Sequence, residues 1–197
     1  RLFALWITFP AFLLIAIASA ALLQALVLSD FSLRYVWEHS STDMPLFYKV
    51  SAFWGGLEGS LLFWILVQSF FSMIVAFRYQ LSNREIIPYV IATLNAILAF
   101  LLLLLIGWSN PLDLQGVIPL EGRGLNPLLQ TPAMAIHPPS LYLGFIGFSV
   151  PFAFAMGGLI LGKMDNEWVL TTRRWTLTAW YFLSAGLILG GQWAYEE

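Results

Sequence analysis

An all-α polytopic membrane protein, with about five transmembrane helices in this chain, is predicted by three features of the sequence. Hydrophobic residues fill 59% of the 197 positions, charged residues fill only 10%, and the mean hydropathy is +0.79. An ordinary water-soluble domain carries roughly a quarter charged residues, so lipid is the solvent this composition implies. The second feature is a set of apolar stretches long enough to cross hydrocarbon, and the third is the uneven distribution of positive charge between them.

A helix crossing a bilayer needs about 20 apolar residues, because no backbone amide can stay unpaired in hydrocarbon. Five stretches meet that requirement: 2–28, 60–77, 86–108, 140–162 and 175–193. Pro10 falls in the first turns of the first span. Pro151 falls in the middle of the fourth, where its missing N–H favours a kink. Residues 1–197 are read as a single transmembrane helical domain. The first residue is Arg1 and the first apolar stretch is too long for a signal-peptide core, so a spanning helix of an incomplete or processed chain is expected.

Intervals 78–85 and 163–174 are short and basic, whereas 29–59 and 109–139 are longer and richer in Gly, Pro and acid. Arg1, Arg78, Arg84, Lys163, Arg173 and Arg174 lie on one side, and Arg34, Lys49 and Arg123 on the other. The positive-inside rule then places the short loops in the cytoplasm or matrix, and the two long loops and Glu197 outside. Trp54, Trp64, Trp108, Trp175, Trp193 and Tyr195 fall near the predicted interfaces and are expected to act mostly as anchors.

A net charge of −2 indicates no nucleic-acid-binding surface. The absence of cysteine excludes disulfides, thiolate metal sites, iron–sulfur clusters and a haem held through thioethers to this chain. Within the spans the strongly polar side chains are Gln24, Gln68, Asn95 and Gln192, with no ionisable group near a midplane. Proton pumps, ion-coupled transporters and voltage sensors need such groups, so function is expected in the two outer segments.

The most informative of these is 122–139 (GRGLNPLLQTPAMAIHPP), which holds His137, one of two histidines. Pro138 biases His137 away from helical dihedrals, and Pro138-Pro139 suits the start of the fourth span, which would put the imidazole at the outer mouth of a helix. A neutral imidazole there is a competent axial ligand for haem iron, with the second axial place filled by another segment. A lone histidine of this kind is more often solvated or bonded to backbone. Arg123 lies between Gly122 and Gly124, where the backbone can turn tightly; its guanidinium suits either a haem propionate or lipid headgroups and Glu121. Met134 is expected to pack rather than ligate. In the other segment, Glu58 is expected to cap the second span, and His39 is expected to be a solvated loop residue.

Three strings occur in order: 54–64 (WGGLEGSLLFW), 122–130 (GRGLNPLLQ) and 134–142 (MAIHPPSLY). Together they resemble the CcmF/NrfE branch of the haem-handling proteins of cytochrome c maturation. The likeness continues through 144–154 (GFIGFSVPFAF), 174–177 (RWTL) and 190–197 (GGQWAYEE), covering nearly the whole chain.

The resemblance implies a multi-pass protein of the bacterial cytoplasmic membrane or the mitochondrial inner membrane, with its long loops on the periplasmic or intermembrane-space side. It implies cytochrome c-type biogenesis: haem b is received from a haem chaperone and presented for thioether attachment to apocytochrome c by a haem lyase. It makes His137 an iron ligand, with the partner histidine and the tryptophan-rich WWD motif lying beyond this chain. The chain alone is then expected to need the remainder of the lyase for activity. A second reading is a non-catalytic membrane scaffold subunit of a respiratory assembly.

Overall fold

A computed structural model describes residues 2–79, 85–162 and 167–196. Eight α-helices follow in order among these: α1 (Leu2–Leu28), α2 (Arg34–His39), α3 (Leu46–Ser51), α4 (Leu57–Tyr79), α5 (Ile87–Trp108), α6 (Pro132–Gly147), α7 (Ser149–Leu161) and α8 (Glu167–Glu196). Short 3-10 turns occupy Ala52–Trp54 and Pro127–Leu129, and the described residues form no strand beyond an isolated bridge between Leu33 and Leu114.

Four stretches are long and apolar enough to cross a membrane: Ile7–Leu28, Leu57–Tyr79, Ile87–Trp108, and Pro132–Leu161, which runs through α6 and α7. At about 1.5 Å per residue, α5 covers roughly 33 Å, close to a hydrocarbon core. The expected fifth span, 175–193, lies inside α8 but is not among the four. Its threonines, tryptophans and glycines make it less apolar than the others, and Arg173 and Arg174 immediately precede it.

The bundle is built inside out relative to a soluble one. Leu14, Leu103 and Ile106 are exposed, while Gln68, Ser69 and Ser72 of α4 are buried. In lipid the tails are as apolar as leucine, so helices gain little by hiding leucines from one another; they gain by bringing small and hydrogen-bonding residues together. Gln68 accordingly donates to the Leu94 carbonyl (3.4 Å) across the α4–α5 contact. Two packed clusters result. One joins α1, α4 and α5 to the long loops through Leu22, Leu26, Phe31, Val36 and Leu125. The other, toward the opposite end, joins α4, α5 and α7 through Val75, Val90, Val150 and Phe154.

The fourth span departs from expectation at its start. It begins at Pro132 rather than near 140, so His137 and both following prolines are inside α6. The reason is a stronger start signal upstream: Thr131 Oγ1 accepts from the Met134 N–H (3.3 Å), and Pro132 takes the first helical position, where a missing N–H costs nothing. The bias that Pro138 places on His137 is overridden by that cap and by packing against α8. At Pro151, where a kink is expected, the helical assignment is interrupted only at Phe148 between α6 and α7, Pro151 having no N–H to donate to the carbonyl of Gly147.

The aromatic belt is also thinner than expected. Trp108 and Tyr195 are exposed, but Trp175 donates to Tyr79 Oη (3.1 Å), Trp64 stands edge-on to Tyr142, and Trp54 packs on Phe53 and Phe63. These three indoles fill gaps between helices.

α6 and α8 approach closely because their contact is lined with glycine. A Cβ on Gly144 would stand 2.7 Å from Leu183 Cα, and one on Gly186 would stand 2.8 Å from the Leu141 amide nitrogen. Gly191, on the same helix, has open space at its Cβ position. Gly186→Ala is therefore expected to destabilise by about 1–3 kcal/mol, as forced overpacking does, whereas Gly191→Ala is expected to stabilise by up to about 1 kcal/mol through helix propensity. Thermal unfolding of the two variants in detergent checks the opposite signs, and equal shifts would contradict the packing.

Candidate functional site

The two long segments close the same end of the bundle and are tied to each other along their length. Gln115 donates its backbone N–H to the Ser32 carbonyl (2.9 Å) and its side-chain amide to the Phe31 carbonyl (2.9 Å). Arg34 pairs with Asp113 at 3.4 Å, and the Arg123 and Gly124 amides donate to the Trp37 and Ser40 carbonyls (2.7 and 3.0 Å). Glu121 accepts from the Thr42 amide (2.9 Å), the Thr42 hydroxyl and the Gly122 amide (2.9 Å). These bonds to its ionised form, the Thr42 hydroxyl foremost, hold the Glu121 carboxyl below its ordinary range.

Both glycines flanking Arg123 have specific causes. A Cβ on Gly122 would overlap the Ser40 carbonyl, and Gly124 has φ +79°, a left-handed turn that side chains disfavour. This turn lays the Arg123 guanidinium over the Trp37 ring, 4.1 Å from its centroid, while leaving the side chain exposed. The stacked face of the guanidinium is covered, and its N–H edge stays open to an anion.

Tyr35 fastens α2 to the start of α4. Its buried hydroxyl donates to the Ala52 carbonyl (2.8 Å) and accepts from the Gly56 amide (3.0 Å). Burial pushes its pKa well above the usual tyrosine value, with the charge of Glu58 adding to the effect, so the hydroxyl stays neutral and donating. Glu58 itself occupies the first turn of α4, where the helix dipole favours a carboxylate. His39 is half-buried rather than solvated as expected. Its ring stacks on Tyr35 (4.3 Å between centroids), Nδ1 lies 2.9 Å from the Tyr35 carbonyl, and Gly56 leaves room for the ring.

His137 sits in the second turn of α6, half-buried against α8. Its Nδ1 lies 2.7 Å from the Gly186 carbonyl. A carbonyl only accepts, so Nδ1 carries a proton, and in the neutral ring the lone pair is then on Nε2. The ring lies where a Gly190 side chain would be: a Cβ there would stand 2.8 Å from Nδ1 and closer still to Cε1. Trp193, one turn on, faces it at 6.1 Å between ring centres. Tyr142 then locks α6 to α4 by donating to Ser60 Oγ (3.3 Å), and Ser60 in turn donates to the Trp54 carbonyl (2.9 Å). Met134 is buried, as expected of a packing residue.

The three strings thus meet in space. Trp54–Trp64 contacts 134–142 through Ser60, Phe63, Trp64 and Tyr142, and 122–130 through Leu125, which packs on Gly55. Arg123 and His137 are held at this same end but by separate partners, and no hydrogen bond or ring contact joins them among the described residues. Sequence reasoning passed over Tyr35, Trp37 and Tyr142, and it passed over Gly186 and Gly190, although the small-xxx-small spacing of that pair is a known sign of close helix contact.

A family profile described as Cytochrome C assembly protein matches residues 54–197. The chain belongs to the cytochrome c assembly protein family. It is 43% identical to cytochrome c-type biogenesis protein CcmF of Escherichia coli K12, over 100% of this chain and 30% of that protein. It is 46% identical to the biogenesis protein ccl1 of Rhodobacter capsulatus over 93% of this chain and 28% of that one, and 40% identical to the probable biogenesis protein NrfE of E. coli K12 over 94% and 34%. A solved structure described as cytochrome c heme lyase CcmF aligns with a TM-score of 0.79 at 36% identity, covering 95% of this chain and 29% of that one. The chain therefore spans about a third of the length of the relatives it matches.

In this cytochrome c assembly family member, one of the ties between the two loops, from Thr42 to Glu121, is strongest when Glu121 is ionised. Its carboxyl is depressed in the folded state, so its contribution is fully present above the ordinary glutamate range and is lost as pH falls through the lowered value. The protection factors of the Thr42 and Gly122 amides, which divide out the intrinsic pH dependence of hydrogen exchange, are expected to fall as pH drops through that window in the wild type. With Glu121→Gln that fall is expected to be absent, and a fall that persists would contradict the assignment.

Proposed function

We propose that this chain forms the haem-presenting part of a cytochrome c-type haem lyase, with His137 as an axial ligand of haem b and Arg123 as a contact for a propionate. The observation that carries the reading is the His137–Gly186 bond. A histidine that ligates a metal characteristically donates its other ring N–H to a carbonyl or carboxylate, which fixes the tautomer and raises the basicity of the coordinating nitrogen. Here Gly186 accepts from Nδ1 and Nε2 keeps its lone pair.

The donor set fits a porphyrin-bound iron better than a bare ion. Among the described residues no group of three or more His, Asp or Glu side chains could enclose a metal. A single imidazole suffices only when four equatorial ligands come with the iron, as they do in haem. The second axial ligand then comes from a segment outside these 197 residues.

Haem, when bound, supplies the vinyl groups to which apocytochrome c thiols add. This chain's residues orient it: α8 and the gap at Gly190 fix the imidazole, and the Trp37-stacked Arg123 offers a charge-assisted contact to a carboxylate. The protein acts from the bacterial cytoplasmic or mitochondrial inner membrane, its long loops facing the periplasm or intermembrane space. Haem arrives from a haem chaperone, and the rest of the lyase completes the reaction.

The test is made in the complete protein. His137→Ala is expected to remove the low-spin haem spectrum and cytochrome c maturation together. Arg123→Ala is expected to weaken haem retention about tenfold, the worth of one charge-assisted hydrogen bond. Pyridine haemochrome content and apocytochrome conversion report both. Unchanged haem and maturation in His137→Ala would overturn the proposal and leave the scaffold reading.

A further inference from the structure

The loop from Leu114 to Leu120 is the most exposed apolar feature outside the spanning helices. Leu114 is 76% exposed, Val117 82%, Ile118 64% and Leu120 99%. Water-soluble surfaces seldom leave four large apolar side chains so close together and uncovered. The sequence between Asp113 and Glu121 contains no ionisable residue. Both bounding carboxylates are turned to protein partners, Asp113 to Arg34 and Asn110, and Glu121 to Thr42 and Gly122. The loop is thus fastened at both ends and bare at its tip.

Its neighbours identify the cover. Phe100, Leu103 and Ile106 form an exposed apolar stripe on α5, and Trp108 is exposed at the end of the same helix. Leu114 follows six residues later and bridges Leu33, five residues beyond the exposed Leu28 at the end of α1. The Leu33–Leu114 bridge therefore ties the start of the bare loop close in sequence to the ends of α1 and α5.

We propose that residues 114–120 form an interfacial anchor, with Val117, Ile118 and Leu120 lying in the headgroup and upper acyl region of the bilayer. The depth is limited by the backbone. Gln115 spends its amide on the Ser32 carbonyl, but the tip is irregular and must find hydrogen bonds in headgroups or water, so it cannot enter the hydrocarbon core. Pro119 removes one donor from that requirement. The anchor would hold the tethered loop pair, and with it Arg123, at a fixed height above the membrane.

The experiment places a nitroxide on Leu120→Cys in the complete protein, with any cysteine outside these 197 residues changed to serine, in phosphatidylcholine nanodiscs. Leu120 is 99% exposed, so the label displaces no packing. Collision rates with oxygen and with a water-soluble nickel chelate are compared with Asp43→Cys, an exposed loop position, and Ile106→Cys, an exposed position within α5. The anchor gives Leu120 an oxygen-to-nickel ratio several times that of Asp43 and below that of Ile106. A ratio equal to that of Asp43 would show a loop in water, and low collision rates with both reagents would show a tip covered by protein. Either result overturns the proposal.

Discussion

The close approach of α6 and α8 is the constraint on which the candidate site depends. An imidazole on one helix reaches a backbone carbonyl on the next at 2.7 Å only because Gly144, Gly186 and Gly190 put no side chains in the way. In a membrane this arrangement is favoured twice. Apolar side chains gain little from leaving lipid for one another, so small residues that permit dense backbone contact set the interface. A polar group between helices must also find a partner there, and His137 finds Gly186. The same contact that stabilises the helix pair therefore selects which ring nitrogen keeps its lone pair.

The loop end follows a different rule, that of a cap held by hydrogen bonds between loops. Cross-chain bonds from backbone and side chain stitch 29–59 to 109–131, and buried Tyr35 welds the stitched loops to α4 through Ala52 and Gly56. Arg123 is held by a left-handed turn on one side and an indole face on the other. Rigid helices position His137, and tethered loops position Arg123. A rigid helix fixes one side chain firmly, while a tethered loop leaves the other some freedom to adapt.

Much of the frame was legible in the sequence, because hydropathy in lipid reports backbone satisfaction directly. Span one matches α1 at both ends, and α4 and α5 extend or trim the expected stretches by a few residues. The fourth span was not legible at its start. The sequence offers two helix-start signals, Thr131-Pro132 and Pro138-Pro139, and nothing local says that the first prevails; its threonine cap and the α8 contact decide. The fifth expected span is helical within α8 but falls short of the apolar strength expected of it, since its indoles and threonines lower its hydropathy.

At the site, the histidine and arginine were legible as residue types, but their fixing partners were not. Gly186 lies 49 residues from His137, and Trp37 lies 86 from Arg123, distances over which a single sequence carries no pairing information. Trp37, Tyr35 and Tyr142 read as ordinary aromatics until the fold brings them to one end. The three strings behave differently: each is unremarkable as a short pattern, and the fold brings them into contact.

The most direct measurement of the central claim is the nitrogen-15 spectrum of histidine-labelled protein without haem, the His137 signals being identified by their loss in His137→Gln. A protonated Nδ1 beside a pyridine-type Nε2 is the predicted pair, because the Gly186 carbonyl can only accept. The opposite tautomer, or fast exchange between the two, would mean that α8 does not hold the ring, and the account of how this chain presents an iron ligand would fail.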